Sequence, residues 1–244
     1  IDGIGIGLAN AASPFLPVFL TRLGATNFQV GLLTSMPGIT GLVLALMVGR
    51  FLQTRRNVVP WFSLARLMVV SSYAATGLAA FFVPREYLIQ TILAIWALAT
   101  LPQTTVAVAF SVVMNAVAGP NHRYELMSRR WSVLGLTTAI TVTLVGWLLD
   151  QIGFPLNYQV VFISLSLGGL VSYYFSSHIE LPEAPVQPKL AGRSVAQRGK
   201  EYFALILGQK DFVNISIKRL VYQTGSLLAM PIFPLYFVRE VNAS

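Results

Sequence analysis

The chain has 244 residues, 55% of them hydrophobic and only 11% charged, with a mean hydropathy of +0.67. Soluble domains carry about 25% charged residues, so this chain cannot cover a water-facing surface; a soluble enzyme, a disordered tail and a nucleic-acid module are excluded despite a formal net charge of +8. It has no Cys, hence no disulfide framework and no thiolate metal site, and what remains is a polytopic membrane protein.

Crossing about 30 Å of hydrocarbon takes roughly 20 helical residues. Seven apolar runs suit that length, at residues 3–20, 28–48, 58–83, 88–118, 131–149, 160–177 and 220–238. They are continuous and lack the alternation of a barrel wall, which predicts an all-α bundle of seven transmembrane helices. The first run opens near residue 1 without an initiator Met or the basic lead-in of a signal peptide, so the chain reads as truncated at both ends. It carries Asn10, Pro14 and Pro17. The second holds Pro37 and ends in the basic segment Gly49 to Arg56. In the third, Arg66 sits eight residues from the start, about 12 Å along a helix. Such a cation is costly in a membrane; it either faces a cavity, attracting an anion or pairing with a carboxylate, or snorkels to a vestibule.

The fourth run has Pro102, Gln103, Thr104 and Thr105 close to its middle. A kinked helix at that depth is best tolerated where it lines a cavity or is buried in protein. The threonines of the fifth, Thr137, Thr138, Thr141 and Thr143, read as backbone-bonded or packing residues, and the steps Gly31/Ser35 and Gly135/Ala139 as close helix contacts. After the sixth run comes the long polar stretch 178–210, proline-rich at Pro182, Pro185 and Pro188. Apolar residues at three- and four-residue steps then read as an amphipathic helix at the membrane interface or as an extension of the seventh span. That last span brings Tyr222 and Gln223. The predicted layout is therefore a six-helix bundle at residues 1–177, a cytoplasmic linker at 178–219 and a seventh helix at 220–244.

Basic residues give the orientation. One set of alternate loops holds Arg50, Arg55 and Arg56, then Arg123, Arg129 and Arg130, then Lys189 to Arg219, thirteen of the seventeen in all. The opposite loops hold Arg22, Arg85 and Arg239. The richer set is expected on the cytoplasmic side, with residue 1 inside. Topology explains the positive charge without a nucleic-acid partner.

An internal repeat carries the functional reading. Pro14-Phe15-Leu16-Pro17 through Arg22 and Pro231-Ile232-Phe233-Pro234 through Arg239 match in both prolines, an aromatic and the Arg at an offset of 217 residues. Six spans lie between the copies when one is counted, an even number, so both cross in the same direction. Parallel six-helix repeats are a transporter architecture with the substrate path between the halves.

With the repeat in view, the chain resembles the major facilitator superfamily over essentially its whole length, as an amino-terminal six-helix half, a linker and helix 7. Leu23-Gly24-Ala25-Thr26-Asn27-Phe28-Gln29 through Leu33 looks like that family's outer loop entering helix 2. Gly49-Arg50-Phe51-Leu52-Gln53-Thr54-Arg55-Arg56 looks like its helix 2–3 signature, with Gln53 where the acidic residue usually stands and Arg56 in place of a glycine. Gly146 to Gly153 followed by Phe162 resembles the helix 5–6 corner. The resemblance implies that helices 1, 4 and 7 line the central pathway. With Arg66, singled out by the cost of its charge in the membrane, Asn10, Gln103, Thr104, Tyr222 and Gln223 are the substrate-pathway candidates, and Gly49, Arg50, Gln53, Arg55 and Arg56 are the conformational ones. It also implies that drug–proton antiport is disfavoured, because helix 4 lacks the family's Arg motif and helix 5 its Gly-Pro motif.

The expected function is secondary active or facilitative transport of a small solute by alternating access, without cofactor or metal. The lipid bilayer of the cell membrane, the solute and a missing carboxy-terminal half are the expected partners, and this chain alone is expected to be inactive. The alternatives are a seven-helix receptor and a non-transporting embedded protein. Enzyme chemistry is not expected: His122 and His178 are the only histidines, and neither has metal-ligand spacing.

Overall fold

A computed structural model describes residues 2–181, 207–229 and 232–240. Among the described residues the regular structure is helical. Span 1 is two pieces, α1 (Asp2–Asn10) and α2 (Phe15–Arg22), separated by turns where Pro14 and Pro17 follow. Next come α3 (Asn27–Gln53) and α4 (Val59–Phe82), then α5 (Arg85–Gly119) and α6 (Asn121–Gln151), then α7 (Leu156–Ser177). The last two helices are α8 (Lys210–Ala229) and α9 (Ile232–Arg239). Five of the spans are long and apolar enough to cross a membrane, and six with α3, which bends by 47° between Asn27–Gly41 and Val43–Gln53. That bend falls at Gly41 rather than at Pro37.

The chain reverses where local chemistry requires it. At the end of α2, Ala25 N–H donates to Leu20 O and Gly24 N–H to Thr21 O, with Gly24 at φ 95°. This is the left-handed helix terminator that glycine adopts without penalty. Thr26 then opens α3 by a capping box: its hydroxyl accepts from Gln29 N–H while Gln29 Oε1 accepts from Thr26 N–H. At the α5–α6 break Gly119 takes φ 63°, just before Pro120, where a residue is excluded from the helical region. Between α6 and α7, buried Asn157 donates to Leu149 O and fixes the corner.

Three expectations change here. The basic segment 121–130 is not a loop but the first turns of α6, braced by an Arg129–Glu125 pair at 2.7 Å. At 35 and 31 residues, α5 and α6 reach about 50 and 45 Å at 1.5 Å per residue, well past the hydrocarbon. Their polar ends escaped a hydropathy reading although helix continues through them. Secondly, α8 runs unbroken from Lys210 through position 220, as the second of the two readings of this stretch had it, but neither α8 nor α9 is among the helices long and apolar enough to cross a membrane; residues 182–206 and Pro231 lie outside the described residues. Thirdly, Gly31 and Gly135 face open space.

The close contacts are made by other glycines. A Cβ at Gly5 would lie 2.8 Å from Gly168 O, one at Gly7 2.7 Å from Thr137 Cβ, and one at Gly169 2.2 Å from Val70 Cγ1. The alternating Gly3-x-Gly5-x-Gly7 therefore lets α1 sink between α6 and α7, where Thr138 Oγ1 also donates to Gly7 O at 3.1 Å. One end of the bundle is closed by aromatics. Phe19 is fully buried, stacked on Tyr158 with centroids 5.2 Å apart and edge-on to Phe162 at 5.5 Å. Nearby, Trp96 Nε1 donates to Thr76 Oγ1 at 3.1 Å. Apolar stripes remain uncovered: Leu136, Ile140, Leu144 and Trp147 along α6, and Ile39, Val43, Leu46 and Met47 along α3.

Candidate functional site

A half-open cavity of about 330 Å³ lies between α1, α4, α5 and α6. It joins three of the predicted pathway residues, Asn10, Arg66 and Gln103, to one the sequence reading placed elsewhere, Arg130. Its walls are mostly apolar, with Phe62, Tyr73, Phe110 and Trp131 as the aromatic part.

Charge is concentrated at one side. Arg66 Nη2 donates to Asp2 Oδ1 at 2.7 Å, and its side chain is only 3% exposed. Ser172 Oγ donates to the same oxygen at 2.9 Å. Arg130 Nε stands 3.7 Å from Asp2 Oδ2, with its side chain 13% exposed. One carboxylate on α1 thus meets groups from α4, α6 and α7, and two cations share it. The packing produces this meeting. Gly5 and Gly168 let α1 touch α7 one turn from Ser172, and Gly169 lets α7 close on α4 beside Val70, itself a cavity residue.

The two guanidinium groups are not saturated. Among the described residues Arg66 Nη1 is buried without a hydrogen-bond partner, and Arg130 Nε, also buried, has only its 3.7 Å contact with Asp2. Both groups lie near aromatic rings, Arg66 at 5.0 Å from Phe62 and Arg130 at 4.7 Å from Phe110. Cation–π contact offsets part of the desolvation of an arginine but supplies no acceptor for its N–H groups.

The other candidates are placed elsewhere. Thr104 is buried, donates to Thr100 O at 2.8 Å and faces the Gly41 side of α3. Thr100 and Thr105 bond carbonyls in the same way around Pro102. Tyr222 and Gln223 stand exposed on α8. In the last turn of α3, Gln53 and Arg50 are exposed and Gly49 is half-buried, and just after it Arg55 lies over the rings of Phe51 and Trp61 at 4.4 and 4.9 Å. Arg56 is exposed. No carboxylate pairs with Arg50, Arg55 or Arg56 among the described residues, so aromatic contact, not an ion pair, holds Arg55 in place.

Two members of the charge cluster were missed by sequence reasoning. Asp2 was not among the predicted pathway residues, and Arg130 read as a loop cation. The available signal was helical spacing from Glu125 through Arg130 into the apolar run, which keeps Arg130 on one helix with Leu134.

No three His, Asp or Glu side chains converge as metal ligands among the described residues. The family model described as Major Facilitator Superfamily matches residues 3–242. No curated protein and no solved structure matches the chain.

Proposed function

We propose, given that this chain belongs to the major facilitator superfamily, that it moves a small solute by alternating access, with the cavity at Arg66 as part of the solute's path. Members of that superfamily are membrane transporters rather than enzymes, and this chain is an integral membrane transporter of that kind. The observation that carries the finer reading is the cavity itself. Polar groups from three spans, Asn10, Arg66 and Gln103, line one otherwise apolar cavity, the arrangement of a ligand site with a few convergent polar groups.

The path is completed by a second six-helix half, whose first helix includes α9. Support comes from the sequence repeat and from the packing of α9 against α2, the two helices that carry its copies. The uncovered stripes of α3 and α6 suit a neighbouring bundle or lipid. Residues 1–177 then act as one rocking body, 178–219 as the cytoplasmic connection and 220–244 as the start of the other.

The amino terminus faces the cytoplasm of the cell membrane in this scheme. Because the chain has no Cys, single cysteines report the side directly. Arg22→Cys, Arg85→Cys and Ile152→Cys are expected to react with an impermeant thiol reagent in intact cells, while Arg55→Cys and Arg123→Cys react only after lysis. The reverse pattern contradicts the orientation.

A further inference from the structure

The ion cluster contains more donors than acceptors. Asp2 brings one negative charge to two arginines whose side chains line the cavity; Arg66 Nη1 has no hydrogen-bond partner among the described residues, and Arg130 Nε stands 3.7 Å from Asp2 Oδ2, beyond hydrogen-bond length. A buried N–H without an acceptor is costly, and more so on a cation. The cheapest remedy is an anion with two acceptor oxygens, because guanidinium groups match the geometry of a carboxylate. Local net charge sets the valence: one further negative charge neutralises the cluster, whereas two overshoot it. The rest of the wall sets the body of the ligand. Phe62, Phe110 and Trp131 offer apolar and aromatic surface, which a sugar or an inorganic ion would leave unmatched.

We propose that the cavity binds a small organic monoanion, a carboxylate on an apolar or aromatic body, held by the guanidinium groups of Arg66 and Arg130 with Asp2 as the built-in competitor. The volume, about 330 Å³, is at the small end of ligand pockets and suits a single ring or a short chain. Asn10 and Gln103, the neutral polar groups on the wall, supply hydrogen bonds away from the arginines. This names the substrate class of the pathway site and rests on the transporter reading above. Asp2 acts as more than a structural counterion here. The carboxylate that holds the two cations is the one that an incoming carboxylate must displace in part.

The test is equilibrium binding of radiolabelled benzoate to the purified protein, with benzyl alcohol as the uncharged counterpart. Benzoate is expected to bind saturably and benzyl alcohol not. Arg130→Gln is expected to weaken benzoate binding about tenfold or more, as loss of a charge-assisted hydrogen bond does. If that variant does not fold, Arg130→Lys, which keeps the charge but lacks Nε, carries the same expectation. Asp2→Asn separates a ligand site from a structural ion pair, because removing the competitor is expected to tighten benzoate binding, by about threefold or more at the scale of one lost like-charge contact. Equal binding of the acid and the alcohol, no binding of either, or binding unchanged or weakened in Asp2→Asn would overturn the proposal. Absence of benzoate binding in a protein whose position 103 is reachable from both membrane faces sinks this ligand class alone; loss of both sinks the transporter reading beneath it.

Discussion

Arg66→Leu is expected to lower the free energy of unfolding by about 3–5 kcal/mol, the range for removing one partner from a buried ion pair. The size follows from what is left behind. Asp2 keeps the Ser172 hydroxyl at 2.9 Å and Arg130 at 3.7 Å, but it loses its only short charged contact among the described residues, at 2.7 Å. The helix itself does not suffer, since Leu is as good a helix former as Arg. The loss therefore reports the ion cluster and not the secondary structure. A double-mutant cycle makes this quantitative. Asp2→Leu alone strands two arginines and is expected to be at least as damaging, while the double variant costs clearly less than the sum of the two. Reversible unfolding in mixed detergent micelles, followed by tryptophan fluorescence, gives all three values. An Arg66→Leu protein as stable as the parent would mean that the buried contact at 2.7 Å contributes nothing.

The second large effect concerns backbone approach. Gly169→Leu is expected to destabilise by about 3 kcal/mol, the upper part of the usual overpacking range, or to prevent recovery of folded protein. Its Cβ would stand 2.2 Å from Val70 Cγ1 and 2.5 Å from Val70 Cβ. Val70 is β-branched and held in one helical rotamer, so the clash cannot be relieved by swinging a flexible side chain away, and α7 must retreat from α4. That retreat also carries Ser172 off Asp2. Gly135→Leu is the matched control, because a Cβ there meets nothing within 4 Å; it is expected to leave the midpoint of thermal unfolding within about 2 °C, in keeping with surface substitutions of less than 0.5 kcal/mol. Equal effects of the two variants would show that glycine-mediated approach does not hold this bundle.

The contrast between these two glycines shows what the sequence could reveal. Membrane helices are legible because twenty apolar residues in a row have few other uses, and Arg66 stood out because it interrupts such a run. Side-chain partnership is another matter. Gly31/Ser35 and Gly135/Ala139 have the spacing of contact residues, but spacing says nothing about which face of a helix meets a neighbour. Gly5, Gly7, Gly168 and Gly169 do the work instead, and the Gly168-Gly169 pair together with three glycines at alternate positions was the available sign. Arg130 was hidden for a different reason. Hydropathy marks where a helix leaves lipid, not where it ends, so a cation at the polar end of α6 was counted with the loops while its side chain reaches the cavity.

The same limits apply to the pathway residues. Asn10, Arg66 and Gln103 meet because three spans converge, and their depth was readable from position alone. Thr104, next to Gln103 in sequence, points about 100° away on an ideal helix and spends its hydroxyl on Thr100 O. A neighbour in sequence is seldom a neighbour in a cavity when the element is a helix.

One measurement bears on the whole account. In the Cys-free background, Gln103→Cys places a single thiol on the cavity wall. A carrier that opens to each side in turn must let an impermeant thiol reagent reach position 103 from the outside of intact cells and also from the inside of inverted vesicles. Labelling from both faces, slowed by a bound solute, is the expected result. A thiol at position 103 that reacts from one face only, whatever solute is present, would contradict transport through this cavity.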